Sequence, residues 1–336
     1  LNNRPDFLIQ PTEPGGFNNS EFPLKALALF RYQYRSNPVY QSFCDQLRRS
    51  PASVQSITDI PYLPIGLFKT HPVVCGDFQP EAVFTSSGTT GKTPSQHQVE
   101  RLSVYRVSFL EAFRIFYGDP TEWCILALLP SYLERSGSSL AYMTDELIRL
   151  SGHPSSGFFL YDTPHLHETL QQLERQGQQT LLLGVTFALM DFAATYPIRL
   201  QHTTVMETGG MKGRRQELAR EEVHSFLQQQ LGVTSIHSEY GMTELLSQAY
   251  APREGLFQSP PWMQVLIRSE DDPLAVKGPL PGQRISGPIN IIDLANQSSC
   301  AFIATDDLGT LYPDGRFEVV GRIDHSDVRG CSLLYT

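Results

Sequence analysis

The sequence lacks the marks of several protein classes at once. No apolar run reaches the roughly 18 residues a membrane-crossing helix needs; the most apolar stretches, 123–130 and 180–194, are short and interrupted. The N-terminus shows no basic-then-apolar signal pattern, and it opens at Leu1 rather than Met, as a processed or trimmed start would. The five cysteines are odd in number and no two form a CxxC pair, so neither a disulfide framework nor a zinc ribbon is expected. The nine histidines include no HExxH or HxxxH, and His165 and His167, flanking Leu166, read as solvated rather than as ligands. Positive charge is scarce: 26 Lys+Arg against 35 Asp+Glu leave −9, which ranks nucleic acid and anionic membranes low as partners. The expectation is a reduced, cytoplasmic protein without membrane insertion.

What is present is enough apolar material for a full core: 40% of the 336 residues are hydrophobic and 10% aromatic. That length suggests about two domains or large subdomains. Apolar spacing predicts helices over 24–34 and 39–47, broken at Asn37-Pro38. An alternation follows. Strands are expected at 82–85, 123–129, 158–161, 180–183, 203–206 and 233–237, with helices over about 101–116, 138–150, 164–175, 186–195 and 214–231. Such repetition predicts an α/β fold, a parallel sheet covered by helices on both faces, with ligands at the carboxyl ends of its strands. After 245 the pattern changes to strands at 263–268, 289–293, 301–305 and 317–320 between Pro/Gly turns. The expected division is an α/β region, 1–245, and a smaller, mainly β region, 246–336.

Five clusters could carry chemistry. Directly after the strand ending at Thr85 come Ser86, Ser87, Gly88, Thr89, Thr90, Gly91 and Lys92. Glycines let backbone N–H groups approach a ligand, hydroxyls add donors, and Lys92 adds charge, as a phosphate loop needs; a surface turn is the plainer reading. A Walker loop is a poor fit, because its first Gly would fall at Ser86. Next comes Glu239-Tyr240-Gly241-Met242-Thr243-Glu244. It offers a flat ring for a base, a hydroxyl, and a carboxylate suited to Mg²⁺ beside phosphates, or a strand-to-helix cap with Thr243 as N-cap. Glu207-Thr208-Gly209-Gly210 follows another strand and equally suits a simple turn. Thr305-Asp306-Asp307-Leu308-Gly309 could accept ribose hydroxyls or be a solvated hairpin turn, and Gly321-Arg322-Ile323-Asp324 could be a surface salt bridge.

Each cluster alone is ambiguous, but their order and spacing resemble the adenylate-forming superfamily of acyl- and aryl-CoA synthetases over about residues 60–330. The resemblance implies that Ser86 to Lys92 hold ATP phosphates and that Tyr240 of the YGxTE motif lies against adenine. It implies that Thr243 and Glu244 serve the α-phosphate and Mg²⁺, that Asp307 and Arg322 hold the ribose, and that Gly209 and Gly210 form the adenine-side loop. Two departures stand out. The usual Pro-Lys after the phosphate loop is absent, since the chain has Lys92-Thr93-Pro94-Ser95, and SSGTTGK is closer to the phenylacetate-CoA ligase branch. The sequence ends at Thr336, six residues past Gly330, where full-length relatives add a mobile C-terminal domain with a catalytic Lys.

One branch resembles the chain better: the LuxE-like acyl-protein synthetases, components of a fatty acid reductase. The residues that carry this likeness are Leu129-Pro130-Ser131-Tyr132-Leu133-Glu134-Arg135 with Ser138-Ser139-Leu140, Glu207 to Gly213, and Val328-Arg329-Gly330-Cys331-Ser332-Leu333. The resemblance implies a fatty acyl substrate, an acyl reductase or acyltransferase partner protein, and Cys331 as the residue that takes the acyl group. Charge agrees: Arg322 and Arg329 lie near Cys331 in sequence, and positive charge favours a thiolate. Residues 184–192 are a candidate acyl lining, or an ordinary core helix. An acyl- or aryl-CoA ligase and a non-catalytic acyl- or nucleotide-binding subunit remain alternatives.

Overall fold

A computed structural model describes residues 21–86, 93–129, 137–209 and 219–323. The chain opens with helices α1 (Phe22–Ser36) and α2 (Pro38–Gln46), strand β1 (Leu63–Pro64), strands β2 (Ala82–Thr85) and β3 (Gln96–Val99), and helix α3 (Leu102–Tyr117). Then come β4 (Cys124–Leu128), α4 (Ser139–Ser151), β5 (Gly157–Phe158), α5 (Thr163–Gln176), β6 (Thr180–Val185), α6 (Thr186–Thr195), β7 (Thr203–Thr208), α7 (Arg220–Leu231), β8 (His237–Tyr240) and β9 (Ala249–Ala251). The last strands are β10 (Met263–Arg268), β11 (Val276–Lys277), β12 (Ile285–Asp293), β13 (Phe302–Leu311) and β14 (Phe317–Arg322).

The expected parallel sheet forms with strand order β5-β4-β6-β7-β8-β9, and only β9 runs antiparallel. Every residue of β4 and β6 is buried, as unbroken apolar runs in a doubly covered sheet should be. Leu126, Leu182 and Val205 meet α5, α6 and α7 on one face. Ile125, Leu181, Leu183 and Met206 meet α3 and α4 on the other. Local signals set the helix ends. Asp162 caps α5 by accepting from the N–H of His165 at 3.2 Å, and Gly177 ends it at φ 68.

The second sheet is antiparallel, order β1-β13-β12-β10-β11 with β14 on β13, except that β1 joins β13 in parallel. Its core is continuous with the α3–α4 side of the first sheet and takes in α1 and α2. Gln33 of α1 donates to the carbonyl of Asn296 at 2.8 Å and accepts from the N–H of Ala301 at 2.9 Å. No helix among the described residues is long and apolar enough to cross a membrane.

Three expectations need correcting. β2 does not belong to the parallel sheet; it pairs antiparallel with β3 in a separate ribbon. The strand expected at 233–237 forms at 237–240, because 233–236 are spent returning the chain from Gly232, the cap of α7, to the register Met206↔His237. Thr305 to Gly309 are not a hairpin turn. They lie inside the ten-residue β13, whose side chains alternate between buried and part-exposed.

Candidate active site

The β2–β3 ribbon closes the base of the Ser/Gly/Thr loop. Ser86 N–H donates to the carbonyl of Ser95 at 3.1 Å, and Ser95 N–H donates to Ser86 Oγ at 2.9 Å. The Ser95 hydroxyl lies near enough to Glu244 to pull its pKa down, and two residues on His97 Nδ1 lies 2.8 Å from the carbonyl of Thr243. The loop base therefore abuts the YGxTE motif, although the two arise from different sheets. Ser87, Gly88, Thr89, Thr90, Gly91 and Lys92 lie outside the described residues.

Tyr240 ends β8, and the chain turns through 241–248 into β9 instead of entering a helix, so Thr243 is no N-cap. Gly241 is required by proximity: a Cβ there would lie 2.5 Å from Glu239 Oε1. Glu239 is buried and accepts from the Thr208 hydroxyl. Burial pushes its pKa up to about 7, with Glu207 adding to the rise and Thr208 opposing it. Glu244 is 4% exposed, and burial raises its pKa against the lowering pull of Ser95 and the Lys69 charge.

At the end of β7, Glu207 Oε2 accepts from the Thr186 hydroxyl at 2.8 Å, and that hydroxyl is also 2.7 Å from the carbonyl of Gly209. Burial would raise the Glu207 pKa, but His224, Arg220, Ser238 and Thr186 outweigh it, and the group ends below its usual range. Gly209 adopts φ 63, the left-handed turn that leads off the strand. Gly210 lies outside the described residues.

Tyr240 joins the two sheets. Its ring packs 5.7 Å from Phe257 and 5.6 Å from Phe317, and its hydroxyl donates to Asp307 Oδ2 at 2.8 Å. Arg322 faces Asp307 across the β13–β14 ladder and donates from Nε to Oδ1 at 3.1 Å. Residues 67 positions apart thus form one corner.

The structure links Ser86 to the Thr243 backbone through the segment 95–97, and it joins Tyr240, Asp307 and Arg322 by hydrogen bonds. Cys331 lies outside the described residues. Residues 184–192 run from β6 into α6, whose apolar side chains pack in the second core. Reasoning from sequence gave no role to Ser95, His97, Lys69 or Asn296, and named Glu239 only as the first residue of the YGxTE cluster. Among the described residues, no group of three or more His, Cys, Asp or Glu could hold a metal ion.

The family model of the LuxE acyl-protein synthetases matches residues 18–336. The long-chain-fatty-acid–luciferin-component ligase of Vibrio harveyi is 27% identical, covering 90% of this chain and 84% of that protein. Among solved structures, a 2-hydroxyisobutyryl-CoA ligase in its postadenylation state aligns with a TM-score of 0.62 at 14% identity, over 94% of this chain and 69% of the other. ATP-bound MatB from Rhodopseudomonas palustris aligns with a TM-score of 0.53 at 17% identity, over 72% of this chain, which spans about half (48%) of that longer one. At these identities the structures share the fold.

Proposed function

The chain belongs to the LuxE acyl-protein synthetase family, and from that premise we propose how its residues activate a fatty acid with ATP and pass the acyl group to a protein thiol. The observation that carries the reading is that one short segment binds Ser86 at the base of the phosphate-type loop through Ser95 N–H and reaches the carbonyl of Thr243 in the YGxTE turn through His97. In the first step a carboxylate oxygen of the fatty acid attacks the α-phosphorus of ATP, pyrophosphate leaves, and an acyl-adenylate remains. In the second, a thiolate attacks the acyl carbonyl, AMP leaves with the electron pair, and a thioester forms.

Ser86, Ser87, Gly88, Thr89, Thr90, Gly91 and Lys92 surround the phosphates, and Lys69 adds positive charge beside Glu244. Thr243 faces the α-phosphate. Tyr240, Gly209 and Gly210 bound the adenine, and Asp307 with Arg322 receives the ribose. Asp307 already accepts from a hydroxyl, that of Tyr240, and a ribose hydroxyl makes the same kind of bond. Glu244 fits Mg²⁺: it is a single buried carboxylate, and Mg²⁺ is commonly held by one or two carboxylates with phosphates and water. When bound, Mg²⁺ neutralises phosphate charge.

Cys331 is the proposed acyl acceptor. Burial pushes Cys44 up to about 12, Cys124 up to about 11 and Cys300 well above its ordinary value, and Cys75 is also buried. The first three are poor sources of thiolate. An acyl reductase or acyltransferase partner then collects the acyl group. Incubation with ATP and a long-chain fatty acid should give a hydroxylamine-sensitive adduct that mass spectrometry maps to Cys331. Cys331→Ser should lose that adduct yet keep ATP–pyrophosphate exchange, because exchange stops at the adenylate. A label on another cysteine overturns the assignment, and acylation of added CoA without protein label makes the chain a CoA ligase.

A further inference from the structure

The turn that carries Thr243 and Glu244 makes little backbone bonding of its own; its internal bond runs from Leu245 N–H to the carbonyl of Met242 at 3.1 Å. Three buried side chains supply the rest. His97 Nδ1 lies 2.8 Å from the carbonyl of Thr243. Asn296 Nδ2 donates to the carbonyl of Glu244 at 2.8 Å. Asp293 accepts from Leu246 N–H at 2.8 Å and from the Ser247 hydroxyl at 2.6 Å. Their exposures are 1%, 0% and 0% for His97, Asn296 and Asp293. An apolar lid could cover the turn, but it would not fix the direction of each carbonyl; satisfied buried polar groups do.

We propose that His97, Asn296 and Asp293 are positioning residues that fix the Thr243–Glu244 turn for adenylate formation, by binding its backbone from β3 and from the end of β12. The proposal rests on the role assigned above to Glu244.

The geometry of the three is mutually determined. Asn296 Nδ2 also donates to the carbonyl of Cys300 at 2.9 Å, which turns its Oδ1 toward His97 Nε2 at 3.1 Å. Both ring nitrogens of His97 therefore face acceptors. Phe68 packs edge-on against the ring at 5.8 Å and limits its rotation. Burial drives the His97 pKa down to about 4, the bonds to Thr243 and Asn296 opposing it, so at neutral pH the ring carries one proton between two acceptors. Ser95 immediately precedes β3, two residues before His97, and both side chains are buried. One short segment thus binds the loop base at Ser86 through Ser95 N–H and reaches the turn backbone through His97.

The test is ATP–pyrophosphate exchange with a long-chain fatty acid, titrated with Mg²⁺, on the full chain and on His97→Phe, Asn296→Ser and His97→Gln. Folded His97→Phe and Asn296→Ser should each lose on the order of 10²-fold in kcat, the scale of a misplacement near 1 Å. Half-saturation by Mg²⁺ should rise about 10-fold, as when an outer partner of a metal ligand is removed. His97→Gln keeps an N–H donor and should recover most of both. Folded variants with the parent's rate and Mg²⁺ dependence overturn the proposal. So does a rate loss that tracks only the loss of folded protein, and so does a failure of both His97→Phe and Asn296→Ser to fold, which would assign these residues to the core. A parent that exchanges with no acid overturns the adenylate reading itself. A parent that exchanges, and loses exchange in Glu244→Gln but not in these variants, overturns the clamp alone.

Discussion

The turn at 241–248 and the Asp307–Arg322 corner both adjoin Tyr240, yet they are held in opposite ways. The turn is fixed by buried, mostly neutral groups bonded to its backbone, so its geometry is set before any ligand arrives. The corner is held at side-chain tips: a tyrosine hydroxyl on one oxygen of Asp307, and on the other an Arg322 whose side chain is 83% exposed. On its Arg322 side the pair is open to solvent and contributes little to stability, although Asp307 itself is buried. The guanidinium can therefore give way to a ligand hydroxyl at small cost. The difference separates two tasks. In the proposed roles, a carboxylate that holds Mg²⁺ at the phosphates has to be preorganised, whereas a ribose needs acceptors that are free to trade partners.

The largest effect should come from the fixed side. Glu244→Gln preserves shape and should cut pyrophosphate exchange by on the order of 10²-fold or more, with a thermal midpoint close to the parent's. On the exchangeable side, Asp307→Asn keeps one acceptor but loses the charge. It should raise the KM for ATP about 10-fold, equal to the roughly 1.4 kcal/mol of one modest charge-assisted bond, with kcat little changed. A large fall in kcat with unchanged KM would erase the contrast between the two sides.

Gly241→Ala tests the junction. The new Cβ would displace the Glu239 carboxylate, and such overpacking typically costs about 1–3 kcal/mol, readable by denaturant unfolding. The smallest effect is a slope. Glu239 has a folded pKa near 7, raised from 4.5, so the folded chain keeps a proton that the unfolded chain releases. That contribution is fully present at low pH and is lost as pH rises from about 4.5 to about 7. His97 and His237 have pKa values depressed to about 4 from 6.5, so they act in the opposite sense, adding stability as pH rises to about 6.5. Asp293, raised to about 6, acts like Glu239 but over a lower range. As pH rises from about 4.5 to about 7, thermal midpoints should therefore fall more, or rise less, in the parent than in Glu239→Gln. Equal slopes would deny the buried proton.

The sequence made the fixed scaffold legible and the cross-connections much less so. Runs such as CILAL and TLLLGV declare buried parallel strands, because only a doubly covered sheet tolerates them. Tyr240, Glu244, Asp307 and Arg322 were singled out by the order and spacing of their motifs, each ambiguous alone, and of these the structure brings Tyr240, Asp307 and Arg322 into contact. His97 and Asn296 were not. A histidine in QHQV and an asparagine in a turn look solvated, and their burial follows from the docking of β3 against the second sheet, which no local pattern encodes. The position of β8 was misread because its own residues, HSEY, are polar while the preceding connection is apolar.

The central claim is that the Glu244 turn and the loop based at Ser86 and Ser95 form one adenylating site. It is tested most directly by fatty-acid-dependent exchange of labelled pyrophosphate into ATP, in the parent and in Glu244→Gln side by side. The account predicts exchange that requires both the acid and Mg²⁺ in the parent and nearly vanishes in the folded variant. Equal exchange in the two proteins, or none in the parent with any long-chain acid, would contradict it.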